Sequence, residues 1–149
     1  MRFSRSVLAA SALAALSVGA TTALASPAAA APDTTPQQVC GSGYKTVNSA
    51  AVGSLGTVYL TYNSANGRNC VTTIRTNPGT ARDMSAWVYV PDTEKGDQDG
   101  GWYTSYAGPT YVYGKGHCVD WGGGIDNVYV QVYGSNCGAL KEHRVTFTR

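Results

Sequence analysis

Val128, Val130 and Val132 alternate with Tyr129, Gln131 and Tyr133, and Met84, Ala86, Val88 and Val90 alternate with Ser85, Trp87 and Tyr89. A period of two cannot form one face of a helix; it describes a strand with an aliphatic side and an aromatic or polar side. Similar short runs, bounded by Gly, Asn, Asp and Pro, recur at 44–48, 56–63, 69–76, 84–90, 101–106, 110–113, 117–121, 127–133 and 144–148. Beyond the first thirty residues no helical period is visible. Eighteen glycines and ten tyrosines, with abundant Val and Thr, suit pleated strands joined by tight turns. The expected fold is all-β, a small single-domain antiparallel sandwich or barrel. The aliphatic sides should fill its core, leaving Trp87, Tyr89, Tyr129 and Tyr133 on the opposite faces, with Tyr59 beside them.

One hairpin can be read to its register. The stretch TVYLTYNSANGRNCVTTI breaks at Ala65-Asn66-Gly67. A two-residue Asn-Gly loop would set Tyr62 opposite Val71 and Val58 opposite Arg75. A three-residue loop with Gly67 in the left-handed region would instead set Tyr62 opposite Cys70, Leu60 opposite Thr72 and Val58 opposite Ile74. The second register gathers apolar side chains on one face and is the expected one.

The chain opens with Arg2 and Arg5, followed by a small apolar run to about Leu24 and Ala-x-Ala sites. That three-part layout is a secretory signal over residues 1–30, with cleavage after residue 25 as the alternative. Residues 31–38 then read as a flexible Pro-rich leader and 39–149 as the β domain. Of eleven Lys and Arg, removal of Arg2 and Arg5 leaves nine, which equals the nine Asp and Glu. A neutral mature domain has no electrostatic case for nucleic acid or an anionic membrane surface. No membrane association is expected beyond the signal.

Cys40, Cys70, Cys118 and Cys137 form an even set in a chain read as exported, so two disulfides are expected. Of three connectivities we favour Cys40–Cys70 and Cys118–Cys137, because each pair brackets one run of consecutive strands. Loops of this span stabilise by about 3–4 kcal/mol each through the unfolded state.

The stretch YGKGHCVDWGGG, residues 113–124, concentrates residue types used in catalysis. If it is extended, His117 and Cys118 point to opposite faces, so the histidine cannot activate its neighbour. No two cysteines have zinc-site spacing, and Gly114-Lys115-Gly116 fails the phosphate-loop pattern. The expected roles are structural: glycines at positive φ in turns, Trp121 covering the core edge, Asp120 capping a turn. The segment PDTEKGDQDGG, residues 91–101, does not match a calcium-binding loop and reads as a solvated connection. Asp120, Asp126 and Glu142 could make a glycosidase pair only at a separation the sequence does not fix. No catalytic residue, metal ligand or cofactor is expected, and the chain is read as a non-enzyme.

CGSGYKTVNSAAVGSLGTVYLTYNSANGRNC and TSYAGPTYVYGKGHCVDWGG resemble the spore-associated protein A family of filamentous spore-forming bacteria. The likeness extends over nearly the whole mature chain and includes all four cysteines. It implies a small exported protein found with spores or aerial structures, with no catalytic residues to carry over. The leading expectation is therefore a secreted, non-catalytic, disulfide-stabilised protein of the spore or cell surface.

Two alternatives stand beside it. In one, Trp87, Tyr89, Tyr129 and Tyr133 bind spore-surface or cell-wall glycan, because flat sugar faces stack on aromatic rings. The ordinary account of those rings is that they lie half-buried between sheets. In the other, Asn77-Pro78-Gly79-Thr80 is the exposed loop of a secreted protease inhibitor.

Overall fold

The computed structural model describes residues 34–137 and 143–148. The expected signal, the start of the leader and Glu142 lie outside them. One short helix, α1 (Pro36–Cys40), precedes nine strands: β1 (Lys45–Val52), β2 (Gly56–Asn63), β3 (Arg68–Arg75), β4 (Arg82–Val90), β5 (Lys95–Tyr103), β6 (Tyr106–Tyr113), β7 (Val119–Ile125), β8 (Val128–Ser135) and β9 (His143–Thr148). They form two antiparallel sheets, ordered β1-β2-β3-β6 and β5-β4-β7-β8-β9.

The alternation in β4 and β8 sorts residues as expected. Met84, Ala86, Val88, Val90, Val130 and Val132 are buried, and they pack with Val58, Leu60 and Val71 of the other sheet. Each buried Val, Leu or Met side chain among these stabilises the fold by about 1.5–3 kcal/mol. Trp121 does not cover the core edge; it is fully buried. Its indole N–H donates to Ser135 Oγ at 2.8 Å, which removes the penalty of an unpaired donor in the core.

The β2–β3 hairpin adopts neither sequence-derived register. Asn63 faces Arg68, Tyr62 faces Asn69, Leu60 faces Val71 and Val58 faces Thr73. The physical cause is a loop of four residues held by side chains. Asn63 Oδ1 accepts from Ala65 N and Asn66 Oδ1 from Arg68 N, while Gly67, at φ +71°, donates to Asn63 O. The core face gains Val58, Leu60 and Val71, and Ile74 passes to the other face.

Helix α1 begins within the stretch expected to be a flexible leader. Thr35 and Gln38 form a reciprocal capping box and Pro36 occupies the first turn, which suits a helix too short to show a period. It docks on the outer face of the four-stranded sheet through the Cys40–Cys70 disulfide. Tyr44 and Tyr111 pack there with ring centroids 5.6 Å apart, and the Tyr111 hydroxyl donates to Cys40 O. Burial, then the neighbouring Tyr44, raises the Tyr111 pKa, partly offset by Arg68 over its ring. The second disulfide, Cys118–Cys137, closes the β7–β8 hairpin, so both bridges follow the favoured pairing.

Residues 95–101 are not a solvated connection. They belong to edge strand β5, which pairs with β4 from Val90↔Lys95 to Arg82↔Tyr103. Asp97 and Asp99 occupy the positions opposite Val88 and Ala86, on the side facing the other sheet. There Asp97 Oδ2 accepts from Tyr111 N at 2.8 Å and Asp99 Oδ2 from Gly108 N at 2.7 Å. Consecutive strands β5 and β6 thus lie in different sheets, joined across the seam by carboxylates. Asp99 Oδ1 also accepts from the Tyr103 hydroxyl.

Asp99→Ala removes two of these bonds and should lower stability by about 2 kcal/mol, read as a lower urea midpoint at unchanged slope. The Tyr103 pKa is raised above 10.0 by its bond to Asp99, then by desolvation and by the carboxylate's charge. A raised folded-state pKa stabilises below the unfolded value and is lost as pH rises through the folded one. Stability of the native protein should therefore fall above about pH 10, and Tyr103→Phe should remove this part of the alkaline loss.

Candidate functional site: the outer face of the five-stranded sheet

The residues opposite the core in β4, β7 and β8 form one solvent-facing surface. Trp87 stands beside Gln98 of β5 and Gly122 of β7, and Gly122 stands beside Gln131 of β8. One row further, Ser85, Gly124 and Tyr129 are neighbours across the same three strands. The rings are not between the sheets; they lie outside the sandwich.

Glycines give these rings their setting. A Cβ on Gly122 would come within 2.8 Å of the Trp87 indole, and one on Gly124 within 2.5 Å of the Tyr129 ring. The two aromatic side chains therefore lie flat on bare backbone. Gly122, Gly123 and Gly124 sit inside β7, with φ outside the left-handed region. The positive φ expected at Gly114 and Gly116 is found at Gly116 and not at Gly114.

Three of the four aromatic residues singled out in the sequence come together. The rings of Trp87 and Tyr133 are 6.5 Å apart. With Tyr89, Gly96, Gln98 and Asp120 they line an open groove of about 710 Å³. Tyr89 and Tyr133 are exposed and Trp87 is half-buried. Tyr129 stands apart from the groove, stacked on Phe147 of β9 at 5.7 Å. Tyr59 is not beside them: it lies in β2 of the other sheet. Trp102 is a member of the same face that the alternation does not reveal, placed opposite Asp83 and 74% exposed. Only the pairing of β5 with β4 identifies it.

The remaining chemistry-bearing residues are committed elsewhere. Asp120 Oδ1 accepts from Gly134 N at 2.8 Å, and Asp126 pairs with Arg82. The two aspartates are six residues apart along an extended segment, about 20 Å, far beyond the separation of a glycosidase pair. Cys118 is in a disulfide and His117 Nδ1 faces Asp92 Oδ2 at 3.2 Å. Among the described residues, no three of His, Cys, Asp and Glu form a group able to hold a metal ion. The loop at Asn77–Thr80 is exposed and tethered by Arg75, which donates to Thr80 O and Thr104 O. It begins beyond the end of β3, about 20 Å along the chain from Cys70, rather than beside a disulfide.

The chain is 58% identical over 102 residues to spore-associated protein A of Streptomyces coelicolor. The chain belongs to the spore-associated protein A family. The match takes in 68% of this chain and 66% of that relative, just under two thirds of the relative's own length. No protein-family model matches the chain, and no solved structure does. For this family member, the disulfides and all-β architecture are thus described directly by its own structure.

The close fit around the glycine run makes a graded prediction. An added Cβ at Gly123 would meet Thr73 Oγ1 at 2.1 Å and Ser85 O at 2.5 Å, whereas at Gly124 the nearest atoms belong to the Tyr129 ring. Gly123→Ala should destabilise by about 2 kcal/mol or more through overpacking, and Gly124→Ala by less, because an outward ring can swing away. Urea unfolding of the two variants measures the difference; equal losses would contradict it.

Proposed function

We propose that this protein is an exported, non-catalytic surface protein that attaches to spore-surface or cell-wall glycan through the outer face of its five-stranded sheet. The observation that carries this reading is the groove holding Trp87, Tyr89 and Tyr133 beside the amide of Gln98 and the carboxylate of Asp120. Aromatic faces offer stacking surface to the C–H faces of sugar rings, and adjacent polar groups offer hydrogen bonds to hydroxyls. A relative that is named for association with spores, together with two disulfides, supports a location outside the cell. The commitment of Cys118, Asp120 and Asp126 to structural bonds supports the non-catalytic part.

The test is retention of the mature protein on chitin, peptidoglycan and spore-wall material. The native protein should be retained. Trp87→Ala combined with Tyr133→Ala should weaken retention at least tenfold, as expected for two lost stacking contacts. Its urea midpoint should show that the fold persists. A folded double variant that attaches as well as the native protein would place the role elsewhere on the surface.

A further inference from the structure

The aromatic groove is the end of a longer trough. A hollow of about 470 Å³ lined by Ser85, Trp87, Gln98 and Gly100 adjoins it, sharing Trp87 and Gln98. A third, of about 120 Å³, includes Asp83, Ser85, Gly100 and Gly124, and shares Ser85 and Gly100 with the second. The three follow β4 and β5 from the Tyr89–Gly96 pair to the Asp83–Trp102 pair. Six residues of strand separate those ends, about 20 Å, which is too long for one sugar ring and long enough for several in a row.

The floor and walls narrow the choice of chain. Gly96 and Gly100 lie on this face of β5, so the trough has low stretches between its standing side chains. Asp83 and Asp120 line the hollows on this face, as does Asp126 in its pair with Arg82, and no lysine lines them. Such a lining repels a polyanion. At the far end Trp102 is 74% exposed, an indole held in water, and it stands one strand position from the third hollow's Gly101.

We propose that the face takes an extended, uncharged polysaccharide chain laid along β4 and β5, with Trp87 stacking at one end and Trp102 at the other. This rests on the glycan-binding reading and deepens it: the ligand is a linear chain of several neutral or N-acetylated sugars. Single sugars and acidic polymers are poor ligands. Trp102 determines chain-length preference, because a short oligosaccharide seated at Trp87 does not reach it.

Calorimetric titration of the disulfide-intact mature protein with N-acetylglucosamine hexamer and dimer, with cello-oligosaccharides of the same lengths as a second series, tests this. In whichever series binds, the longer chain should bind at least tenfold tighter than the dimer. Trp102→Ala should weaken the longer chain about fivefold and leave the dimer and the urea midpoint unchanged. Polygalacturonate should not bind. Equal affinity for long and short chains, a Trp102→Ala variant indistinguishable from the native protein, or tight binding of polygalacturonate would overturn the trough while leaving glycan binding in place. No binding in either series, by a protein that still attaches to spores, would remove the glycan reading and the trough with it.

Discussion

At Gly123 the two sheets approach more closely than a side chain would allow, and the rest of the packing follows from that approach. Thr73 of β3, fully buried, reaches across the sandwich and donates to Ser85 O of β4 at 2.7 Å. Its hydroxyl occupies the place a Cβ on Gly123 would need. A hydrogen bond between the layers of a Val-rich core satisfies both a buried hydroxyl and a strand carbonyl. It also fixes the alignment of one sheet on the other. The flanking Gly122 and Gly124 face the other way and leave the outer surface bare, so that Trp87 and Tyr129 can lie flat. One glycine run thus sets the fit of the layers inside and the shape of the ring-bearing surface outside.

The seam between β5 and β6 is the second constraint, and it depends on the first for its alignment. Backbone pairing gives way there to Asp97 and Asp99, whose carboxylates accept from amides of the other sheet. Inward-pointing charges on an edge strand also discourage pairing with a second molecule. Because β5 is held at this seam, its outer positions form a continuous wall beside β4. The proposed binding trough is therefore a consequence of how the sandwich is closed along one side.

How much of this the sequence reveals differs from element to element for physical reasons. In β4 and β8 one face is wholly aliphatic, so alternation identifies the strands and sorts Trp87, Tyr89, Tyr129 and Tyr133 onto the outside. The even cysteine set, in a chain whose start reads as a secretory signal, leads to the observed pairing because each bridge closes a local run of strands. Most of strand β5 hides because its inward positions carry Asp97 and Asp99, whose role is to bond across a seam rather than to fill a core. The run 101–106 takes in the end of β5 with Trp102 but crosses the bend at Thr104–Ser105 into β6, so it does not place Trp102 on the ring-bearing face. The hairpin register fails because Asn63 and Asn66 stabilise a loop longer than an Asn-Gly signal suggests. The role of Gly122–Gly124 is not legible in the sequence because nothing local distinguishes a glycine needed for close approach from one needed for positive φ.

The most direct measurement is the nuclear magnetic resonance spectrum of residues 31–149, free and with N-acetylglucosamine hexamer. In the free protein, the α protons of Gly122 and Gly124 should be shifted strongly upfield by the Trp87 and Tyr129 rings lying over them. With the oligosaccharide, the indole signals of Trp87 and Trp102 should move while that of the buried Trp121 stays in place. Ordinary glycine shifts would contradict the bare-backbone floor. A ligand response at Trp121, or none at either outer tryptophan, would contradict the binding face built upon it.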